Sequence, residues 1–126
     1  MTHWVEEPTE HEYADAIKYL SLHYTRGGAT RIVNAIKRAK TEVHQAVDIL
    51  RAAAIIPGPA DEWLIEEELR CISRPLPPVL LVRGRPLIIA SGYHLICALV
   101  REHGTKNPNI PCKISPDVEE MARWDT

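Results

Sequence analysis

Residues 77–104 read PPVLLVRGRPLIIASGYHLICALVREHG, and this stretch decides the fold. Val79-Leu80-Leu81-Val82 and Leu87-Ile88-Ile89-Ala90 are short runs of aliphatic and β-branched residues, and Arg83-Gly84-Arg85 between them supplies a glycine turn. The pattern predicts a hairpin with both strands largely buried. Ser91-Gly92 makes a tight corner, and a helix follows from about Tyr93 to His103, closing on Gly104. A loop then leads to Ile110-Pro111-Cys112-Lys113-Ile114, a third strand whose proline sits near its start, where a missing amide is tolerated. Leu81, Ile88, Ile89, Ile96, Leu99 and Val100 are the expected core. The fold class is therefore α/β (α+β), a small mixed sheet with a hairpin, helix and strand core, assigned to residues 59–126.

Working outward, Thr9-Glu10-His11-Glu12 reads as a capping box, in which Glu12 reaches back to the amide of residue 9. Tyr13, Ala16, Ile17, Leu20 and Tyr24 then recur at helical spacing. Arg26-Gly27-Gly28 is expected to break this helix. A second runs from about Thr30 with Ile32, Val33, Ile36 and Ala39 on one face. Thr41 caps a third, with Val43, Val47, Leu50 and Ala54 aligned, or the two form one long helix. Residues 1–58 are thus expected to be a helical N-terminal region, bounded by Pro57-Gly58-Pro59 and joined to the rest as one compact unit. Asp61 looks like the cap of a further helix reaching about Ser73, and the proline-rich stretch 74–78 ends it. The tail DVEEMARWDT is expected to add a helical turn and dock Trp124.

The chain of 126 residues has 25% charged and 45% hydrophobic residues, with no Phe, so its core must be aliphatic. A formal net charge of -2 gives no global attraction to nucleic acid or anionic membrane. The longest apolar runs are too short to span a bilayer, and the acidic, polar N-terminus is unlike a signal peptide. Cys71, Cys97 and Cys112 are scattered and odd in number, which points to reduced thiols and a cytoplasmic protein without disulfide or zinc.

The strand–glycine–helix corner is the one place that suggests a ligand. Amides at a helix start favour an anion, and a glycine lets a phosphate approach the backbone. Ser91, Gly92, Tyr93 and His94 form this candidate site. Residues 75–114 resemble the N-terminal domain of ParB-type proteins and the related sulfiredoxins. RPLIIASGYHLICAL is similar, more closely, to a group of uncharacterised bacterial ParB-like proteins with the pattern LIIADGYHRVCA, and THWVEEP and DILRAA look typical of that group. The resemblance implies a ParB/sulfiredoxin-like fold and, in parts of that superfamily, nucleotide binding and turnover.

Gly92 and His94 match the pattern. Tyr93 stands where sulfiredoxins have their catalytic cysteine, Leu95 where the wider family has a phosphate-binding arginine, and Ser91 where the closer group has an acidic residue. Loss of the arginine removes a planar, permanently charged fork suited to phosphate. Arg83, Arg85 or Lys113 are the candidates to replace that charge. The expected function is a binding or scaffold module with a degenerate phosphate/nucleotide loop, whose partner is another protein or a second copy. One alternative is a nucleotide-binding protein with weak phosphoryl-transfer or hydrolytic activity, its ligand a nucleotide or phosphate. The other is a DNA-associated accessory protein using the basic stretch Arg26, Arg31, Lys37, Arg38 and Lys40.

The plainer readings carry more weight elsewhere. The basic stretch reads as a solvated helix face rather than a helix-turn-helix, so specific DNA binding is not expected. Cys97 and Cys112 read as small buried hydrophobes rather than metal ligands beside His94. Glu66-Glu67-Glu68 reads as a solvated face, and Trp4, Tyr13, Tyr19 and Tyr24 as core and edge packing of the helical half.

Overall fold

The computed structural model describes residues 3–56, 58–103 and 107–123. Pro57, Gly104 and Trp124, to which the boundary, the helix end and the docked tail were assigned, lie outside them. The elements run α1 (Glu10–Leu20), α2 (Arg26–Arg38), β1 (Glu42–Gln45), α3 (Ala46–Ala53), a 3-10 turn (Pro59–Asp61), α4 (Glu62–Arg70), β2 (Val79–Val82), β3 (Ile88–Ser91), α5 (Tyr93–His103), β4 (Asn109–Ile114) and α6 (Val118–Arg123). The four strands form one mixed sheet in the order β1-β4-β2-β3. β2 pairs antiparallel with β3 and parallel with β4, and β4 pairs antiparallel with β1.

The central strand β2 is buried on both faces, as its unbroken aliphatic run predicts. Successive side chains alternate in direction. Val79 and Leu81 join Ile89, Ile110, Cys112 and Ile114 under α3 and α5. Leu80 and Val82 join Ala90 under α1 and α2, against Tyr13, Leu20, Ile32, Val33 and Ile36. α4 lies outside α5, where Ile65 meets Cys97 and Ala98. Leu81, Ile89, Ile96 and Leu99 are buried as expected. Ile88 and Val100 are half-buried.

The expectation of a purely helical N-terminal region needs correction. Residues 42–45 are a strand, not the first turn of a helix from Thr41, and they form the far edge of the same sheet through pairs such as Glu42 with Cys112. The strand also rules out one long helix. α3 begins only at Ala46, where the 107–108 segment satisfies its first amides. Ala46 N donates to the Pro108 carbonyl at 2.9 Å and Val47 N to Asn107 Oδ1 at 3.0 Å. Its fully buried face is Ala46, Ile49 and Ala53, with Leu50 partly buried against the same core as expected, whereas Val47 is exposed.

α2 starts four residues earlier than expected. Thr25 Oγ1 accepts the Gly28 amide at 3.1 Å, and this cap holds Gly27 and Gly28 in the first turn instead of letting them end α1. The reach-back of Glu12 to the Thr9 amide, at 2.8 Å, is as the capping box requires. Because α2 leads into a strand, the basic stretch is not part of a helix-turn-helix.

Lys113 faces the α1–α2 layer and is only 2% exposed. Its Nζ donates to Glu7 at 2.8 Å, to the Lys37 carbonyl at 2.9 Å and to the Tyr13 hydroxyl at 3.5 Å. Burial pulls its pKa down, but Glu7 and Tyr13 outweigh it, so the ammonium is held above its ordinary value. Among the described residues, no helix is long and apolar enough to cross a membrane.

Candidate functional site

The corner is built by the end of β3 and the start of α5. Gly92 has φ of 101°, in the left-handed region that favours glycine. A Cβ on it would stand 2.5 Å from Val79 Cγ1, so the chain crosses β2 too closely for any side chain. The fold itself demands this glycine, whatever binds nearby. Ile96 N closes the first helical bond on the Gly92 carbonyl at 2.9 Å. Leu95 is 4% exposed and belongs to the core beneath α3 and α5. It also forms part of the wall of one of the hollows beside the corner.

His94 Nε2 is 3.0 Å from Asp61 Oδ1, and Asp61 Oδ2 accepts the Gly58 amide at 3.0 Å. Asp61 therefore makes no side-chain cap on α4, the role its position suggested. Its carboxylate ties α4 to α5. The His94 hydrogen bond, then the Gly58 amide, hold its pKa below the ordinary 3.8. Tyr93 packs edge-on to His94, ring centroids 4.9 Å apart. Burial, then the nearby Cys97, push the Tyr93 hydroxyl's pKa upward, so it stays protonated. That hydroxyl makes no well-aligned hydrogen bond among the described residues.

A carboxylate favoured in the folded state adds stability above its unfolded pKa and loses it as pH falls through the folded one. Asp61→Asn should therefore lower the denaturation midpoint at neutral pH, and the gap from wild type should close in acid below 3.8. A gap that persists unchanged in acid would remove the His94–Asp61 pair as its cause.

Two hollows flank the corner. One, of about 410 Å³, has Tyr19, Ile55, Ile89 and Tyr93 on its walls with His94 and Asp15. The other, of about 280 Å³, carries Glu12, Asp15 and Glu68 against His11 and Arg74. Both basic side chains are engaged. Arg74 Nη2 is 2.8 Å from Glu68, and His11 Nε2 is 3.2 Å from Asp15. The site is acidic where a phosphate would need the reverse.

None of the three candidate charge partners reaches it. Arg83 and Arg85 sit in the turn before β3, and the corner lies after it, about 13 Å away along a four-residue strand. Lys113 is buried beneath α1 with its own partners. Sequence reasoning missed Asp61 as the partner of His94 and Arg74 as the corner's guanidinium. Asp61 lies 33 residues from His94, and no spacing rule connects the two.

The cysteines do not gather. Cys71 is exposed, whereas Cys97 and Cys112 are buried. Burial pushes the Cys112 thiol up to about 12, and Cys97 also rises. Among the described residues, no group of three or more His, Cys, Asp or Glu side chains is placed to hold a metal. No family model, curated protein or solved structure matches the chain.

Proposed function

We propose that the chain is a non-catalytic binding module on a ParB/sulfiredoxin-like scaffold whose corner has lost its affinity for phosphate. Two features support the scaffold reading: the order hairpin, glycine corner, helix and strand, and the parallel pairing of β4 with β2. One observation carries the loss of phosphate binding. Each basic side chain lining the corner is already paired with a carboxylate, and Glu12 adds further negative charge.

Helix amides alone offer a partial positive charge, which neighbouring carboxylates offset. The 410 Å³ hollow, with aromatic and aliphatic walls and the His94–Asp61 pair at its edge, suits an uncharged or cationic group presented by a protein partner. Phosphoryl transfer needs cationic stabilisation of the moving charge, and the corner's guanidinium, Arg74, is already paired with Glu68.

Titrating phosphate and ATP while following backbone amides by NMR tests this reading. The amides of Ser91 to Leu95 should not move saturably at millimolar ligand. A saturable shift confined to those residues and weakened by His94→Ala would overturn it in favour of a nucleotide-binding protein.

A further inference from the structure

The turn of the β2–β3 hairpin opens onto a cleft of about 700 Å³, larger than either hollow at the corner and at the opposite end of β3. We propose that this cleft binds a phosphorylated, hydroxyl-bearing small molecule, with the phosphate on Arg83 and Arg85 and hydroxyl groups on Asp117 and Glu119.

The two arginines stand two residues apart in the turn, and His23 reaches the same cleft from the segment between α1 and α2. Among the described residues Arg85 has no acidic partner. Arg83 has only Glu42 at 3.9 Å, through a side chain 54% exposed, a contact that water weakens. Arg85 thus offers its guanidinium fork for the bidentate geometry that phosphate favours, and Arg83 gives up only a long, solvent-weakened contact to join it. The turn is also anchored. Arg83 N donates to Ser115 Oγ at 3.3 Å, and Ser115 is fully buried. A fixed turn reduces the ordering cost of binding. Arg38 lines an adjoining hollow that Arg83 shares, and it adds to the local positive field.

The other lining groups set the ligand's character. Tyr24, Val82 and Ile88 give an apolar wall for a ring. Asp117 and Glu119 also line the cleft, and Asp117 Oδ1 already accepts the Glu119 amide at 2.8 Å. Carboxylates accept from hydroxyl groups and repel further phosphates, so a monoester is preferred to a triphosphate. Sugar phosphates and nucleoside monophosphates share this chemistry.

The test is an amide NMR titration at matched ionic strength with AMP, glucose 6-phosphate and ATP. AMP, glucose 6-phosphate or both should shift residues 83–88 and His23 saturably at millimolar concentration, with ATP weaker. Which monoester responds identifies the source. The double variant Arg83→Ala, Arg85→Ala should weaken that binding roughly tenfold or more, because two charge-assisted hydrogen-bonding groups are lost. Its thermal midpoint should be unchanged, since both side chains are exposed. The proposal fails if neither monoester gives a saturable shift at the turn, if sodium chloride reproduces the shift, if the double variant binds as well as wild type, or if ATP binds more tightly than AMP. A response at Ser91 to Leu95 would instead count against the reading of the corner, and the two regions report separately.

Discussion

Replacing Gly92 by alanine should destabilise the fold by roughly 2–5 kcal/mol, combining a left-handed backbone forced on a substituted residue with overpacking against β2. The new methyl would lie 2.5 Å from Val79 Cγ1 and 3.1 Å from Val79 Cβ, so β2 or the start of α5 must move. A domain of this size is stable by about 5–15 kcal/mol, and the loss would be a large fraction of that. Urea denaturation measures it. In a Val79→Ala background the same substitution should cost less, because the collision is partly relieved, and a double-mutant cycle would expose the coupling. Wild-type stability for Gly92→Ala would show that the crossing over β2 is not as close as described.

Leu80→Ala and Leu81→Ala should each cost about 2–5 kcal/mol, and by similar amounts. Leu80 is 0% and Leu81 1% exposed, yet they face opposite sides of the sheet. The equality is informative because Leu80 is covered by α1 and α2. If those helices were a loosely attached extension, Leu80→Ala would cost much less than Leu81→Ala. Val43→Ala, at a position 61% exposed on the edge strand, should stay within about 0.5 kcal/mol and serves as the control. Urea midpoints of the three variants decide the matter.

The hairpin, the corner, α5 and β4 were legible in the sequence because each is signalled locally. Two aliphatic runs flank a glycine turn, and a glycine precedes a helical pattern. β1 was not legible. Glu42-Val43-His44-Gln45 is exposed at all four positions, so it has no hydrophobic period, and its partner strand lies more than sixty residues on. Pairing with β4 overrode the local preference. The start of α2 was missed because two glycines argue against a helix, and the Thr25 cap counters them only in the folded geometry.

At the candidate site, the sequence placed Ser91, Gly92, Tyr93 and His94 together simply because they are contiguous. The surrounding charge depends on Glu12, Asp15, Glu68 and Arg74, brought there by α1, α4 and the segment after α4. The charge partners drawn from Arg83 and Arg85 were adjacent to β3 in sequence but at its wrong end, since a strand separates its turn from its corner.

The strand order β1-β4-β2-β3 has a consequence for synthesis on the ribosome. β4 is made after the other three strands, yet it lies between β1 and β2 and is their only link in the sheet. Until residues 109–114 clear the exit tunnel, a nascent chain has a two-strand hairpin and a separate lone strand, each with unpaired backbone groups that the finished sheet covers. Helix pairs such as α1 and α2 can form early, because their contacts are close in sequence. The sheet closes only when its last strand enters the gap between β1 and β2, so the sheet is completed late, after its other strands have been exposed with unpaired edges.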